Sequence, residues 1–366
     1  MRILFDHQIF GLQKYGGISR YFCELATNLA RRPKVKPVIC APLYVNAYLD
    51  NMQSSIRRGF RSPITNRMYY LRRAMHIAAE EFITRSFRPD VIHETYFARK
   101  VRGPSQVPRV VTVHDMIHER FPEHFNFDDV TSDLKAEAVR RADHVICISE
   151  CTRQDLIEIL GVPSKKVSVT YLASDLPAAP SMLYDPPPHP RPYILYVGQR
   201  SGYKNFGPML RAVQSSPLLQ ELDVVCFGGG AICQRERENL SQTGFPPERL
   251  QHISGDDSAL SRYYSGARCF VYPSLYEGFG IPPLEAMAND CPVVCSESSS
   301  ISEVVGAAGE YFDPGSLESM RAAIERVALS NARCSELVRA GRARRSEFSW
   351  DRCADQTLAV YKQCTT

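Results

Sequence analysis

Two carboxylates eight positions apart, Glu277 and Glu285, stand in the run YPSLYEGFGIPPLEAMANDCPVV at 272–294. The apolar residues up to Tyr272 read as a strand, Gly278 and Gly280 as a tight loop, and Pro282-Pro283 as the opening turn of a helix, where a missing N–H costs nothing. This reading puts Glu277 in the loop and Glu285 in the first helical turn. The backbone amides of Phe279, Gly280 and Ile281 would then face whatever sits at the helix N-terminus, a position that favours phosphate. Carboxylates beside it suit hydroxyl donors. Two acids at this spacing alone would be an ordinary solvated loop; the glycines and the double proline in register set this one apart.

Arg200 and Lys204 follow the apolar run Tyr193 to Val197. The C-terminal end of such a strand faces the crevice of an α/β sheet, where two cations can neutralise a diphosphate; spacing alone fits solvated loop cations as well. Gly16-Gly17 precedes a stretch with Ile18, Phe22, Leu25 and Leu29 at helical spacing. Glycine there lets backbone approach a ligand closely and the helix dipole favours an anion, although on its own a glycine pair reads more simply as a plain turn. His114-Asp115 follows the run Val110 to Val113, again at a strand end, where a histidine is often structural. His118 and His124 are near it but fit no zinc spacing. Asp128-Asp129 and Asp256-Asp257 are adjacent rather than alternating acids. No DxD triplet is present, so no metal and no cofactor are expected, and Arg200, Lys204 and helix amides take the role a divalent ion plays elsewhere.

Short apolar runs alternating with helical patterns must position these residues, the signature of a parallel α/β sheet. In the first half the predicted strands are Ile3-Leu4-Phe5, Val38-Ile39-Cys40, Val91-Ile92, Val110 to Val113, Val145 to Ile148 and Val167 to Tyr171. A second series holds Tyr193 to Val197, Val224 to Phe227, Cys269 to Tyr272 and Val293-Val294. Between them the proline-rich stretch with DPPPHPRP can continue neither helix nor central strand. The expected fold is two Rossmann-like α/β domains facing a central cleft: residues 1–178, a linker at 179–192, residues 193–348, and a final helix at 349–366 capped by Ser349. That helix packs on the second domain or returns to the first.

The chain has 366 residues, 44% hydrophobic and 23% charged, and a net charge of +4. Residues 1–180 hold 26 Lys/Arg against 19 Asp/Glu, or +7; the remainder holds 18 against 21, or −3. A mildly basic first half suits an acidic acceptor or a membrane surface and is too weak for nucleic acid, for which no motif is present. Twelve cysteines without CxxC pairs fit a reducing cytoplasm. MRILFDHQIFG reads as a strand and loop rather than a leader, and no run approaches the ~20 apolar residues that cross a bilayer. Residues 51–79 carry Arg57, Arg58, Arg61, Arg67, Arg72 and Arg73 with no acid, interleaved with Phe60, Tyr69, Tyr70 and Leu71. They fit a solvated loop and helix, an acceptor-binding patch, or peripheral contact with an anionic membrane at its inner face.

The pattern E-G-F-G-x-P-x-x-E-A-M-A resembles the family-4 retaining glycosyltransferases of the GT-B fold, and most closely bacterial members that build surface polysaccharides. Gly16-Gly17, His114-Asp115, ICISECTRQDL at 146–156, YVGQRSGYKN at 196–205, Gly228 to Gly230 and YYSGARCFVYPS extend the resemblance over most of the chain. It implies that Arg200 and Lys204 hold the donor pyrophosphate, that Glu277 binds sugar hydroxyls and that Glu285 holds the ribose. It further implies that His114 contacts the transferred sugar and that the loop at Gly16-Gly17 covers the phosphates when the domains close. The segment HISGDDSALSRYYSGA, with Ile253 and Leu260, resembles the part that clasps the nucleobase.

The reaction so implied moves a hexose from a nucleoside-diphosphate sugar, GDP-mannose first, to a hydroxyl of a saccharide or lipid-linked acceptor with retention of configuration. No residue reads as the carboxylate nucleophile of a retaining hydrolase, which favours front-face departure with the leaving phosphate assisting. The competing readings are a nucleotide-sugar epimerase of the same fold and a non-catalytic sugar-nucleotide-binding subunit.

Overall fold

The computed structural model describes residues 1–61, 78, 81–99, 104–176, 187–200 and 202–365. Arg67, Tyr69, Tyr70, Leu71, Arg72 and Arg73 of the arginine-rich segment, and 179–186 of the proline-rich stretch, lie outside them. The chain divides into two compact units, Met1–Leu172 with Ser349–Thr366, and Ala173–Phe348.

Among the described residues the first unit holds a seven-stranded parallel sheet. Its strands are β1 (Arg2–Phe5), β2 (Lys36–Tyr44), β3 (Arg57–Arg61), β4 (Val91–Glu94), β5 (Arg109–Val113), β6 (His144–Cys147) and β7 (Val167–Val169), in the order β3-β2-β1-β4-β5-β6-β7. The central strands are buried on both faces and so read as short continuous apolar runs. Val111, Val113, Val145 and Cys147 share a core with Ala138, Val139 and Leu156 from the helices Thr131–Arg141 and Glu150–Leu160.

The helix Gly17–Ala30 buries Tyr21, Phe22, Leu25 and Leu29. The last helix, Trp350–Thr365, belongs to this unit: Arg32 pairs with Asp351 and Asp355 at 2.8 and 2.7 Å. Its inner face reaches the sheet, where the buried His93 of β4 meets Tyr361 Oη at 2.6 Å through Nδ1 and Thr112 Oγ1 at 2.9 Å through Nε2. The exposed ion pairs contribute at most about 1 kcal/mol each; the sealed imidazole matters more, because losing either partner strands a buried polar atom.

The second unit holds, among its described residues, a six-stranded parallel sheet: β8 (Tyr193–Val197), β9 (Asp223–Phe227), β10 (Leu250–Ile253), β11 (Cys269–Tyr272), β12 (Val293–Ser296) and β13 (Gly309–Phe312), in the order β10-β9-β8-β11-β12-β13. Ile194, Val224, Val271 and Val294 pack with Met209, Leu210, Val213, Ile324 and Val327 from the helices Phe206–Gln214 and Leu317–Ala328.

Three strands lie outside the runs expected from sequence: β3, β10 and β13. The segment at 57–61 is therefore a strand, not a loop or helix. Its cations are engaged: Arg57 donates to Tyr44 Oη at 2.7 Å and to the Leu49 carbonyl, Arg58 to the Ser54 carbonyl, and Arg61 pairs with Asp50 at 2.6 Å. No helix of the described residues is long and apolar enough to cross a membrane.

Candidate active site

In each sheet the strand order reverses beside the first strand of its series, at β1/β4 and at β8/β11. Open α/β sheets receive ligands outside the C-terminal strand ends at such a point. In the second unit the loop after β8 carries Arg200 and Lys204, and the loop after β11 carries Glu277 to Gly280. The two loops are tied together by the Leu275 amide, which donates to the Tyr203 carbonyl at 2.8 Å. Beside that bond Lys204 Nζ stands 2.7 Å from Glu277 Oε1.

Arg200 is not an open crevice cation. Its side chain is 1% exposed and pairs through Nε with Glu236, while the guanidinium also donates to the carbonyls of Gly228 at 2.9 Å and Gly230 at 2.8 Å. The expectation of an open crevice cation is thus corrected for Arg200, which is enclosed and clamps the loop after β9; Lys204 stays at the loop edge, paired with Glu277. Glu236, on the helix Gln234–Ser241, is a site residue that sequence reasoning missed. Gly229 explains how the clamp closes. It has φ +72°, and a Cβ there would lie 2.3 Å from the Gly198 carbonyl oxygen and 2.9 Å from the Arg200 guanidinium.

The loop at Glu277 is built from behind. Ser300 Oγ donates to the carbonyls of Glu277 at 2.8 Å and Phe279 at 2.9 Å, and Ser299 Oγ accepts from the Glu277 amide at 2.9 Å. The serine run at 298–300 was the available signal for this support. Gly280 caps the helix Ile281–Ala288 with φ 112°, left-handed backbone that a side chain would strain. Glu285 is the fifth residue of that helix, in its second turn rather than its first. It is buried and accepts from Tyr264 Oη at 3.3 Å. Burial, reinforced by the Glu285 charge, pushes the Tyr264 phenol well above its usual range, so it remains a donor.

The predicted nucleobase residues connect to the same framework. The Gly228 amide donates to the Ile253 carbonyl at the end of β10 at 2.9 Å, so Arg200 and Ile253 hold one glycine between them. Leu260 lies one turn before Tyr264 on the helix Asp257–Gly266. Asp256 caps that helix through the Ala259 amide at 2.9 Å. Gly278, Phe279 and Ile281 fall where predicted, in the loop and at the helix start. Among the described residues no three His, Cys, Asp or Glu side chains are grouped to hold a metal ion.

Gly16, Gly17 and His114 belong to the first unit. Gly16 caps the helix that Gly17 opens, and Ser19 Oγ returns to the Gly16 carbonyl at 3.0 Å. A Cβ on Gly17 would meet nothing within 4 Å. His114 follows β5, and its ring stands edge-on to Tyr21 at 5.2 Å. An edge of the residue remains accessible, but Nε2 is buried and has no hydrogen-bond partner. Burial lowers the imidazole pKa to about 4, with Asp115 opposing and the Lys135 ammonium assisting. The ring is therefore neutral at pH 7.

A parallel sheet in each unit, a reversal of strand order in each, and a cation–carboxylate arrangement between the loops of the second unit fit the class that the sequence resembles, a glycosyltransferase of the GT-B fold. Family models agree: residues 15–176 match Glycosyltransferase Family 4 and residues 185–344 match Glycosyl transferases group 1, and the chain belongs to this family. It is 28% identical over 372 residues to O-antigen chain mannosyltransferase B of Escherichia coli, covering 94% of this chain and 96% of that one. Against the serotype-specific mannosyltransferase WbdA of Escherichia coli it is 27% identical over 303 residues, 75% of this chain and 37% of that longer protein. Sucrose-phosphate synthase from Thermosynechococcus elongatus shares the fold, with a TM-score of 0.80 at 19% identity over 99% of this chain and 98% of that one.

Proposed function

We propose that this glycosyltransferase moves mannose from GDP-mannose, with retention of configuration and without a divalent metal, to a hydroxyl of a saccharide or lipid-linked acceptor in surface polysaccharide synthesis. The observation that carries the site reading is the Lys204–Glu277 pair between the loops after β8 and β11. An incoming diphosphate replaces Glu277 as the partner of Lys204, which frees that carboxylate for donor hydroxyls. Arg200, held by Glu236 and two carbonyls, keeps the neighbouring glycine loop in the shape that receives the phosphates. Glu285, with Tyr264 behind it, takes the ribose. Gly228 to Gly230, Ile253 and Leu260 border the base. On the first unit the family resemblance assigns Gly16-Gly17 to the phosphates and His114 to the transferred hexose. The choice of mannose rests on the names of the relatives; UDP-hexoses and GDP- or dTDP-deoxyhexoses are the next donors to try.

Incubation with a panel of nucleotide sugars, with and without acceptor, tests the reading. Transfer that requires acceptor supports it, acceptor-independent isomerisation makes the protein an epimerase, and binding without turnover makes it a carrier subunit. Activity is expected to persist in EDTA; complete loss restored by Mg²⁺ or Mn²⁺ would assign the diphosphate to a metal instead. Work at the inner membrane face rests on the arginine-rich segment. It requires co-sedimentation with anionic but not neutral vesicles, lost at high salt.

A further inference from the structure

The first unit contains a buried ammonium that the proposed site does not use. Lys135 sits on the helix Thr131–Arg141 with its side chain 2% exposed. Its Nζ donates to the Asp115 carbonyl at 2.9 Å and to Glu119 Oε2 at 2.7 Å, and lies 5.8 Å from the centre of the Phe97 ring. Glu119 is itself 7% exposed. One amine thus fastens the segment after β5, the short helix Ile117–Arg120 and the segment after β4. Asp115 is the residue after His114, and its carboxylate accepts from the Ile117 amide at 3.1 Å. The turn that carries His114 is therefore fixed on its main chain by Lys135 and on its side chain by its own helix.

Such a pair is poor value as a stabiliser. Desolvating an ammonium and a carboxylate is costly, and apolar replacements of similar volume are often neutral or better. What it does locally is specific. Ile18, Tyr96, Phe97, His114, Asp115, His118, Thr131 and Lys135 surround a small cavity of about 30 Å³. Two buried nitrogens of these residues, His114 Nε2 and His118 Nδ1, have no partner. A cavity of this size holds roughly one water or one hydroxyl.

We propose that Lys135 is a positioning residue: its bonds to Asp115 and Glu119 hold the His114 turn, and with it the imidazole, in the orientation that its contact with substrate needs. The proposal rests on the reading of His114 as a substrate contact. The ammonium also acts electrostatically. His114 is faced by Asp115, by Lys135, by His93 of β4 and by Tyr21 of the helix Gly17–Ala30, and shares the cavity with His118 of the short helix; Glu119 reaches it only through Lys135. Among these, Lys135 assists burial in keeping both His114 and His118 neutral.

The test uses the full chain with Lys135→Met and the double variant Lys135→Met/Glu119→Leu, which removes the pair without stranding a charge and guards against a misfolded single variant. His114 is followed by NMR titration, its signal assigned by loss in His114→Asn. In Lys135→Met a cation is gone and Glu119 remains, so the His114 pKa rises. In both variants turnover falls about tenfold to a hundredfold, the scale of a misplaced reacting group, while affinity for free nucleoside diphosphate stays at the wild-type value. Wild-type turnover in a folded double variant, together with an unmoved His114 titration in Lys135→Met, overturns the proposal. A fully active His114→Asn overturns the role of His114 itself, and with it the purpose of the positioning. The titration still reads the Lys135 link in that case, so the two failures are distinguishable.

Discussion

Lys204 and Glu277 are 73 residues apart in the chain, yet Nζ and Oε1 meet at 2.7 Å. The sheet order brings them together: β8 and β11 are hydrogen-bonded neighbours, so the loops leaving their C-terminal ends must share one edge. In Lys204→Met turnover is expected to fall by ~10²–10³, the usual loss for one donor aimed at developing negative charge. Adding Glu277→Gln should cost less than the sum of the separate losses, because the two residues share one interaction. A kinetic double-mutant cycle measures this, and strictly additive losses would mean the pair does not act as a unit.

Arg200→Ala should behave differently from Lys204→Met, because it strips three partners from inside the loop fold. Breaking a buried pair by removing one member typically costs about 3–5 kcal/mol. Urea unfolding is therefore expected to show a large loss for Arg200→Ala and a small one for Lys204→Met. Equal stability of the two variants would argue against the clamp.

Glu285→Ala should weaken the binding of free nucleoside diphosphate itself. A hydrogen bond to a charged group contributes ~1.5–3 kcal/mol, a factor of roughly ten to a hundred in Kd. Tyr264→Phe, which removes only the hydroxyl behind that carboxylate, should lose less. Calorimetric titration with the diphosphate alone checks both, and wild-type affinity in Glu285→Ala would remove the ribose assignment.

Gly17→Val is a clean probe, since a side chain there has open space within its own unit. The melting temperature should stay close to wild type while turnover drops, and diphosphate affinity carried by the second unit should persist. Full activity in Gly17→Val would leave the glycine pair as a plain turn.

Acid should destabilise the first unit through its buried imidazoles. Burial lowers the pKa of His93 to about 3 and that of His114 to about 4. Their folded values lie below the unfolded value near 6.5, so the unfolded state binds more protons and stability falls as pH drops below about 6.5. Between pH 7 and pH 5 the loss is about 2 kcal/mol for each ring. Urea midpoints at the two pH values give the comparison, and His93→Gln should reduce the difference between them.

What was legible in the sequence follows from how each strand is covered. Tyr193–Val197 and Cys269–Tyr272 were readable to the residue because central parallel strands are apolar on both faces. The missed strands β3, β10 and β13 all stand at sheet edges. Edges carry charge and polar side chains, as RRGFR and LQHI do, and therefore look like loops. The site split in the same way. Glycines, prolines and acids in one run could be read locally. Glu236 reaches Arg200 across 36 positions and Tyr264 reaches Glu285 across 21, with no local spacing to signal either.

The helix Trp350–Thr365 sets an order of events on the ribosome. A nascent chain that has reached Phe348 already contains every residue of the second unit and can fold it. The first unit, begun earliest, still lacks the helix that seals it: His93 waits for Tyr361, and Arg32 for Asp351 and Asp355. The side of the helix Gly17–Ala30 that meets the last helix, where the Tyr21 ring lies 6.2 Å from that of Trp350, stays exposed for the whole interval. The half that is started first is finished last, and a chaperone that shields exposed apolar surface has its work at that half.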